Sequence, residues 1–241
     1  MDLGIDGKVA LVTASSKGLG RASAEALAAE GAAVVLSGRD PEVLEATRAA
    51  LAADGAAVAA VAGDVTDPDE PARLVAAARQ HFGRLDILVA NAGGPPPGTA
   101  LALDDAALEA AVNANLLTTV RLVREALPSM REAGWGRICA ITSYTITQAA
   151  PLLALSNTAR TGLWAWAKTA AHDLAAEEGD LTLNLVCPGL HETDRMRQLG
   201  ATGRMGDPGD FGKVVAFCCS RQAGFVNGAA LVVDGGETLA L

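Results

Sequence analysis

The feature that most constrains this chain is an alternation of short, almost uniformly apolar runs with longer stretches whose apolar residues recur every three or four positions. The runs fall at 8–13, 32–37, 56–61, 85–90, 136–142, 181–187 and 230–234. A strand that is apolar along its whole length must be covered on both faces, and helices lying between such strands supply the cover. Those helices are legible as stripes at helical spacing, for example Ala22, Ala26 and Ala29, and later Leu74, Ala77 and Ala78. The expected architecture is α/β: a single doubly wound domain over 1–241, with a seven-stranded parallel sheet and ligands at the carboxyl ends of its strands. Half the residues are hydrophobic but only 3% are aromatic, a small-aliphatic mix that suits close packing of helices on a sheet.

Charge narrows the partners. Lys and Arg number 19 against 28 Asp and Glu, a net charge of −9, and no basic run occurs, so no nucleic-acid partner is expected. No stretch of about 20 apolar residues appears, and the N-terminus has no basic segment ahead of an apolar one. No membrane partner and a cytoplasmic location are therefore expected. Cys139, Cys187, Cys218 and Cys219 lack metal-type spacing and read as reduced core residues, so no metal site is expected.

The first apolar run leads into Thr13-Ala14-Ser15-Ser16-Lys17-Gly18-Leu19-Gly20. A strand, a tight turn of small residues and a helix start together aim backbone N–H groups and the positive end of a helix dipole at a phosphate. Such a turn alone is also an ordinary strand-to-helix connection. Further short motifs follow in order: Ser37-Gly38-Arg39-Asp40, Gly63-Asp64-Val65, Asn91-Ala92-Gly93-Gly94, Pro188-Gly189 and Asp234-Gly235-Gly236. With these motifs in register, the chain resembles the short-chain dehydrogenase/reductases over nearly its whole length, and among them the ketoacyl-carrier-protein reductase-like members.

That resemblance implies a Rossmann domain and an oxidoreductase using a nicotinamide dinucleotide on a small-molecule carbonyl or alcohol. It also implies a homo-oligomer, a tetramer or dimer, with Trp164 and Trp166 placed at its interface or in the core. In the family pattern Thr13, Ala14, Ser15, Ser16, Lys17, Gly18, Leu19 and Gly20 surround the cofactor phosphates, and Ala14 stands where the family has its first glycine. Asp64 and Val65 fall near the adenine, Asn91, Ala92 and Gly93 near the nicotinamide ribose, and Pro188 and Gly189 beside the nicotinamide. The second run ends without a carboxylate, while Lys17 and Arg39 bring two cations toward the adenosine 2′ position. A 2′-phosphate is favoured there and a 2′-hydroxyl loses its usual partner, so the expected cofactor is NADP(H).

Carbonyl reduction needs a hydride at carbon and a proton for the developing alkoxide. The family arranges this with Asn, Ser, Tyr and Lys. By resemblance Asn115, rather than Asn113, takes the first role and Ser143 the second. The Tyr is expected thirteen residues after that Ser and the Lys four residues later, but Ser156 and Arg160 occupy those positions. A serine is a far weaker acid than a phenol, whose pKa is about 10, and a guanidinium does not surrender its proton. Arg160 keeps the capacity to hydrogen-bond the ribose. Tyr144, the one tyrosine in the chain, is a candidate substitute donor or a packing residue. Water held by Ser156, or solvent, is the other source. His191 could face the substrate but is expected at the surface, as are His81 and His172. Three readings stay open: an NADP(H)-dependent oxidoreductase with an atypical proton donor, a non-catalytic NADP(H)-binding protein or sensor, and a non-redox enzyme that reuses the pocket.

Overall fold

The structure, a computed structural model, describes residues 1–240. Strand β1 (Val9–Val12) leads to helix α1 (Gly18–Ala29), β2 (Ala33–Gly38) to α2 (Pro41–Ala53), and β3 (Val58–Ala62) to α3 (Glu70–Phe82). After β4 (Ile87–Ala90), helix α4 (Asp105–Val112) passes through a π-helical turn at Asn113–Leu117 into α5 (Thr118–Glu132). The chain then forms β5 (Trp135–Ile141), α6 (Ala154–Ala175), β6 (Asp180–Pro188), the short α7 (Asp194–Gln198), α8 (Pro208–Cys218) and β7 (Ala230–Val233).

All seven strands lie in one sheet in the order β3-β2-β1-β4-β5-β6-β7, every neighbouring pair parallel. The strand order reverses between β1 and β4, and a crevice opens at their carboxyl ends. Each run expected as a strand forms one. The ends shift by a residue or two; at the start of the 85–90 run, the Asp86 carboxylate accepts the Val9 N–H at 2.9 Å and pairs with Arg84 at 2.6 Å.

Side-chain alternation along β1 divides the interior in two. Leu11 faces one core with Leu74 of α3, Leu122 of α5 and Leu163 of α6. Ala10 and Val12 face the other with Leu27 of α1, Leu44 of α2 and Phe211 of α8. Each buried Leu, Val or Phe side chain among these contributes about 1.5–3 kcal/mol. The four cysteines are free and buried, and Trp164 and Trp166 pack partly against the first core. Four of the eight α-helices are capped by a side chain at their start: Asp40 accepts N–H groups of α2, Asp104 of α4, Thr193 of α7 and Asp207 of α8. The N-cap of α1 is Lys17, which makes no such bond. No helix among the described residues is long and apolar enough to cross a membrane.

Candidate active site

The crevice is built from the turn outward. Thr13 Oγ1 donates to the Asn91 carbonyl at 2.7 Å and accepts the Asn91 N–H at 2.8 Å, tying the end of β1 to the end of β4. Ser15 Oγ donates to the Val12 carbonyl at 2.7 Å and accepts the Ser37 N–H at 3.1 Å, which ties the same turn to β2. Held between these bonds, Ala14 adopts φ +46°, a left-handed conformation that costs a side chain with a Cβ. Its carbonyl accepts Asn91 Nδ2 at 3.2 Å. A Cβ placed on Gly20 would lie 2.5 Å from that carbonyl oxygen, so only glycine lets α1 start this close to the turn. Lys17 projects exposed and makes no salt bridge among the described residues.

A cavity of about 800 Å³ opens above this turn. Ala14, Lys17, Gly18 and Leu19 line it from the turn, Asn91, Ala92 and Gly93 from the end of β4, and Ser143 and Tyr144 from the end of β5. Ser156 and Arg160 enter from α6, Pro188 and Gly189 from the end of β6, and α7 closes one side. A Cβ added at Gly93 would meet nothing within 4 Å, so the backbone there can be approached closely. The uncapped start of α1, the bare Gly93 backbone and the free Lys17 charge fit a dinucleotide phosphate chain.

Other residues singled out from the sequence lie outside the cavity wall. Thr13 and Ser15 are buried behind the turn, Gly20 packs under it, and Ser16 sits against Gly38. Arg39 and Asp64 are exposed beyond the cavity, at the ends of β2 and β3. The Asp64 carboxylate accepts the Thr66 N–H at 3.0 Å and its hydroxyl at 2.8 Å. The backbone bond first, and also the Thr66 hydroxyl and nearby Arg39, hold its carboxyl below the usual range. Val65 is a core residue.

The two asparagines separate clearly. Asn113 is spent on structure, its Nδ2 donating to the Thr66 carbonyl at 2.9 Å and its Oδ1 accepting from Arg121 at 2.6 Å. Asn115 is buried in the π turn, where Nδ2 reaches the Ala111 carbonyl at 3.3 Å and Oδ1 finds no protein partner. A widened turn of this kind is a frequent device for aiming one polar group out of a helix.

At the end of β5, Ser143 is extended and its Oγ accepts the Thr145 N–H at 3.2 Å, opening a single 3₁₀ turn at Tyr144–Ile146. Tyr144 is half-buried. Burial, and then the carboxylates Glu237 and Asp234, hold its phenol above the ordinary value. Ser156 and Arg160 lie one turn apart on α6, 9% and 7% exposed. Arg160 Nη1 donates to the carbonyls of Ile141, at 3.3 Å, and Thr142. Burial first, and then the neighbouring Arg195, push the guanidinium down to about 10.

The expected surface position of His191 is corrected. It is 4% exposed, lines the cavity, sits 3.2 Å through Nδ1 from the Gly189 carbonyl and stacks edge-on against Phe211 at 5.1 Å. His81 and His172 are exposed, as expected. The α7 segment also supplies residues that sequence reasoning missed. Thr193 packs over Gly18, and Arg195 Nη2 donates to the Pro95 carbonyl at 3.0 Å, bridging to the loop after β4. The mixed charges at 192–197 were the available signal.

Residues 8–203 match the family described as short chain dehydrogenase. The chain is 32% identical to the 3-oxoacyl-[acyl-carrier-protein] reductase of Escherichia coli (strain K12), over 97% of this chain and 98% of the relative. It is also 32% identical to dehydrogenase/reductase SDR family member 4 of Sus scrofa, over 96% of this chain and 88% of that one. Among solved structures, L-sorbose reductase from Gluconobacter frateurii complexed with NADPH and L-sorbose superposes with a TM-score of 0.93 at 30% identity, covering all of both chains. A 3-oxoacyl (acyl-carrier-protein) reductase from Agrobacterium tumefaciens C58 with NADP bound gives a TM-score of 0.90 at 30% identity, over 98% of this chain and 96% of that one. The match runs through the glycine turn, the crevice and α7 as well as through the sheet, and the chain belongs to the short chain dehydrogenase family.

Proposed function

We propose that this protein is an NADPH-dependent oxidoreductase that reduces a small-molecule carbonyl without the Tyr-Lys pair the family pattern calls for. The observation that carries the reading is the single cavity joining the glycine turn to Ser143, Tyr144, Ser156 and Arg160. The N–H groups at the start of α1 would hold the cofactor pyrophosphate, with Lys17 and Arg39 toward the 2′-phosphate and Asp64 and Val65 toward the adenine. Asn91, Ala92 and Gly93 would border the nicotinamide ribose, and Pro188 and Gly189 the nicotinamide itself. Complexes with NADPH or NADP in the two similar solved structures support this assignment.

When bound, the cofactor supplies the hydride that adds to the carbonyl carbon. The C=O π pair then moves onto oxygen, where the Ser143 hydroxyl donates a hydrogen bond and steadies the charge. A proton must follow, and Tyr144 is the donor we assign. Its phenol stays protonated at neutral pH, and an alkoxide is basic enough to take that proton. Glu237 and Asp234 oppose ionisation of the phenol, whereas a neighbouring cation would assist it. Turnover is therefore slow, and reactive carbonyls are preferred. Asn115 Oδ1, buried without a protein partner, is placed to accept a hydrogen bond from water behind α6.

Fluorescence titration with NADPH and, separately, NADH tests the cofactor. Consumption of NADPH with a panel of activated ketones tests the chemistry. Tighter binding of NADPH and a rate abolished by Ser143→Ala are the expected results. Binding of neither nucleotide overturns the reading. The pinning of Arg160 to the Ile141 and Thr142 carbonyls favours one rival, a non-catalytic NADPH binder, which would bind NADPH and consume none of it.

A further inference from the structure

Arg160 is a buried cation without a counter-charge among the described residues. It is 7% exposed and lines the cavity, its Nε has no hydrogen-bond partner, and it makes no salt bridge among the described residues. Its protein bonds go to two neutral carbonyls, of Ile141 and Thr142. The fold treats its other buried guanidinium differently: Arg137, fully buried, is paired with Asp180 at 2.8 Å. An unpaired buried charge is costly, and pairing it with a hydrogen-bonded carboxylate removes much of that cost.

Among the described residues, nothing in the cavity wall supplies the missing charge. Cys187 is close enough to influence Arg160, but burial pushes its thiol up to about 11, which leaves it neutral. Ser143, Tyr144 and Ser156 offer neutral hydroxyls. The one carboxylate that the described residues place in the wall, Asp194, is committed to Arg197 at 3.1 Å. The charged neighbour that does act on Arg160 is a second cation, Arg195 of α7. Ser156, one turn before Arg160, is too short to screen the guanidinium from the cavity. This is a cationic recess in a chain whose net charge is −9.

We infer that the substrate of the proposed reaction carries a carboxylate, as in an oxo acid, which Arg160 receives with Arg195 closing over it while the carbonyl meets Ser143. A planar carboxylate matches the fork of a guanidinium and supplies the negative charge that a ribose hydroxyl or a neutral ketone lacks. The inference rests on the oxidoreductase reading for the carbonyl, and on the residues around Arg160 for the carboxylate.

The test is calorimetric titration of the protein saturated with NADP⁺, which cannot reduce the ligand, with 2-oxobutanoate and with its neutral amide, with inorganic phosphate as a third arm. The acid should bind at least about tenfold more tightly than the amide, the gain expected from one charge-assisted pair. Arg195→Ala, an exposed position, should reduce that preference several-fold with NADPH affinity retained, and Arg160→Met should abolish it. Because Arg160→Met removes bonds that hold β5 to α6, the Arg195→Ala ratio decides the matter if that variant does not fold. Equal binding of acid and amide overturns the inference, as does phosphate binding as tightly as the acid. Should NADPH itself fail to bind, the oxidoreductase reading falls, and the same pair titrated against the free protein still decides whether the recess selects a carboxylate.

Discussion

Replacing Ala14 by glycine should stabilise this protein, against the usual expectation that glycine loosens a chain. Ala14 sits at φ +46°, fixed there because Asn91 Nδ2 binds its carbonyl at 3.2 Å and Gly20 packs beneath the same oxygen. A left-handed conformation costs an L-residue roughly 1–2 kcal/mol, and glycine escapes that cost. Glycine also has more freedom to lose on folding, which takes back about 0.4–1 kcal/mol. The net gain is therefore of order 0.5–1 kcal/mol, a rise in melting temperature of about 2–4 °C for each kcal/mol in a chain of this size. Urea unfolding at fixed protein concentration should show a higher midpoint with an unchanged slope. Ala14→Val, β-branched at the same φ, should lower the midpoint by more than Ala14→Gly raises it. If Ala14→Gly instead loses about 0.5 kcal/mol or more, the strain is not where the backbone angle puts it, and the methyl group is making a packing contribution that this reasoning omits.

Three further outcomes bear on the site. If Lys17 has the 2′-phosphate role proposed above, Lys17→Ala should weaken NADPH binding about five- to tenfold and leave NADH binding unchanged, the effect of losing a single exposed cation; equal losses for both would remove Lys17 from that role. The proposed role of Tyr144 requires its protonated form, and burial raises its pKa, so activity should persist through neutral pH and fall only above the ordinary phenol value of about 10. A pH profile that declines below that value, or one unchanged in Tyr144→Phe, contradicts the assignment. Ser156→Tyr combined with Arg160→Lys should raise turnover by about 10²–10⁴, the usual contribution of a tuned general acid; no gain in a folded, NADPH-binding double variant would favour the non-catalytic reading.

Much of the architecture was legible because it rests on local periodicity. Seven apolar runs and the helical stripes between them implied a parallel sheet covered on both faces, and the small-residue turn after the first run located the crevice. The positions of Ser156 and Arg160 also came from counting along the chain. Their surroundings did not. Arg160 is pinned by carbonyls 18 and 19 residues away, and Thr13 is tied to Asn91 across 78 residues, contacts that no pattern along the chain encodes. The partners of Asn113 at Thr66 and Arg121, and the packing of His191 against Phe211 of α8, likewise come from elements far apart along the chain.

By itself, then, the sequence determined the fold class, the strand order of events along the chain and which residue types stand at each site position, because hydrophobic period and turn chemistry are properties of neighbours. Only the tertiary structure decided that Ala14 is left-handed, that α7 brings Arg195 over the cavity, and that Arg160 lies buried with no carboxylate of the described residues beside it. Strain and desolvation depend on what the rest of the fold brings into contact, and those contacts exist only once the sheet has assembled.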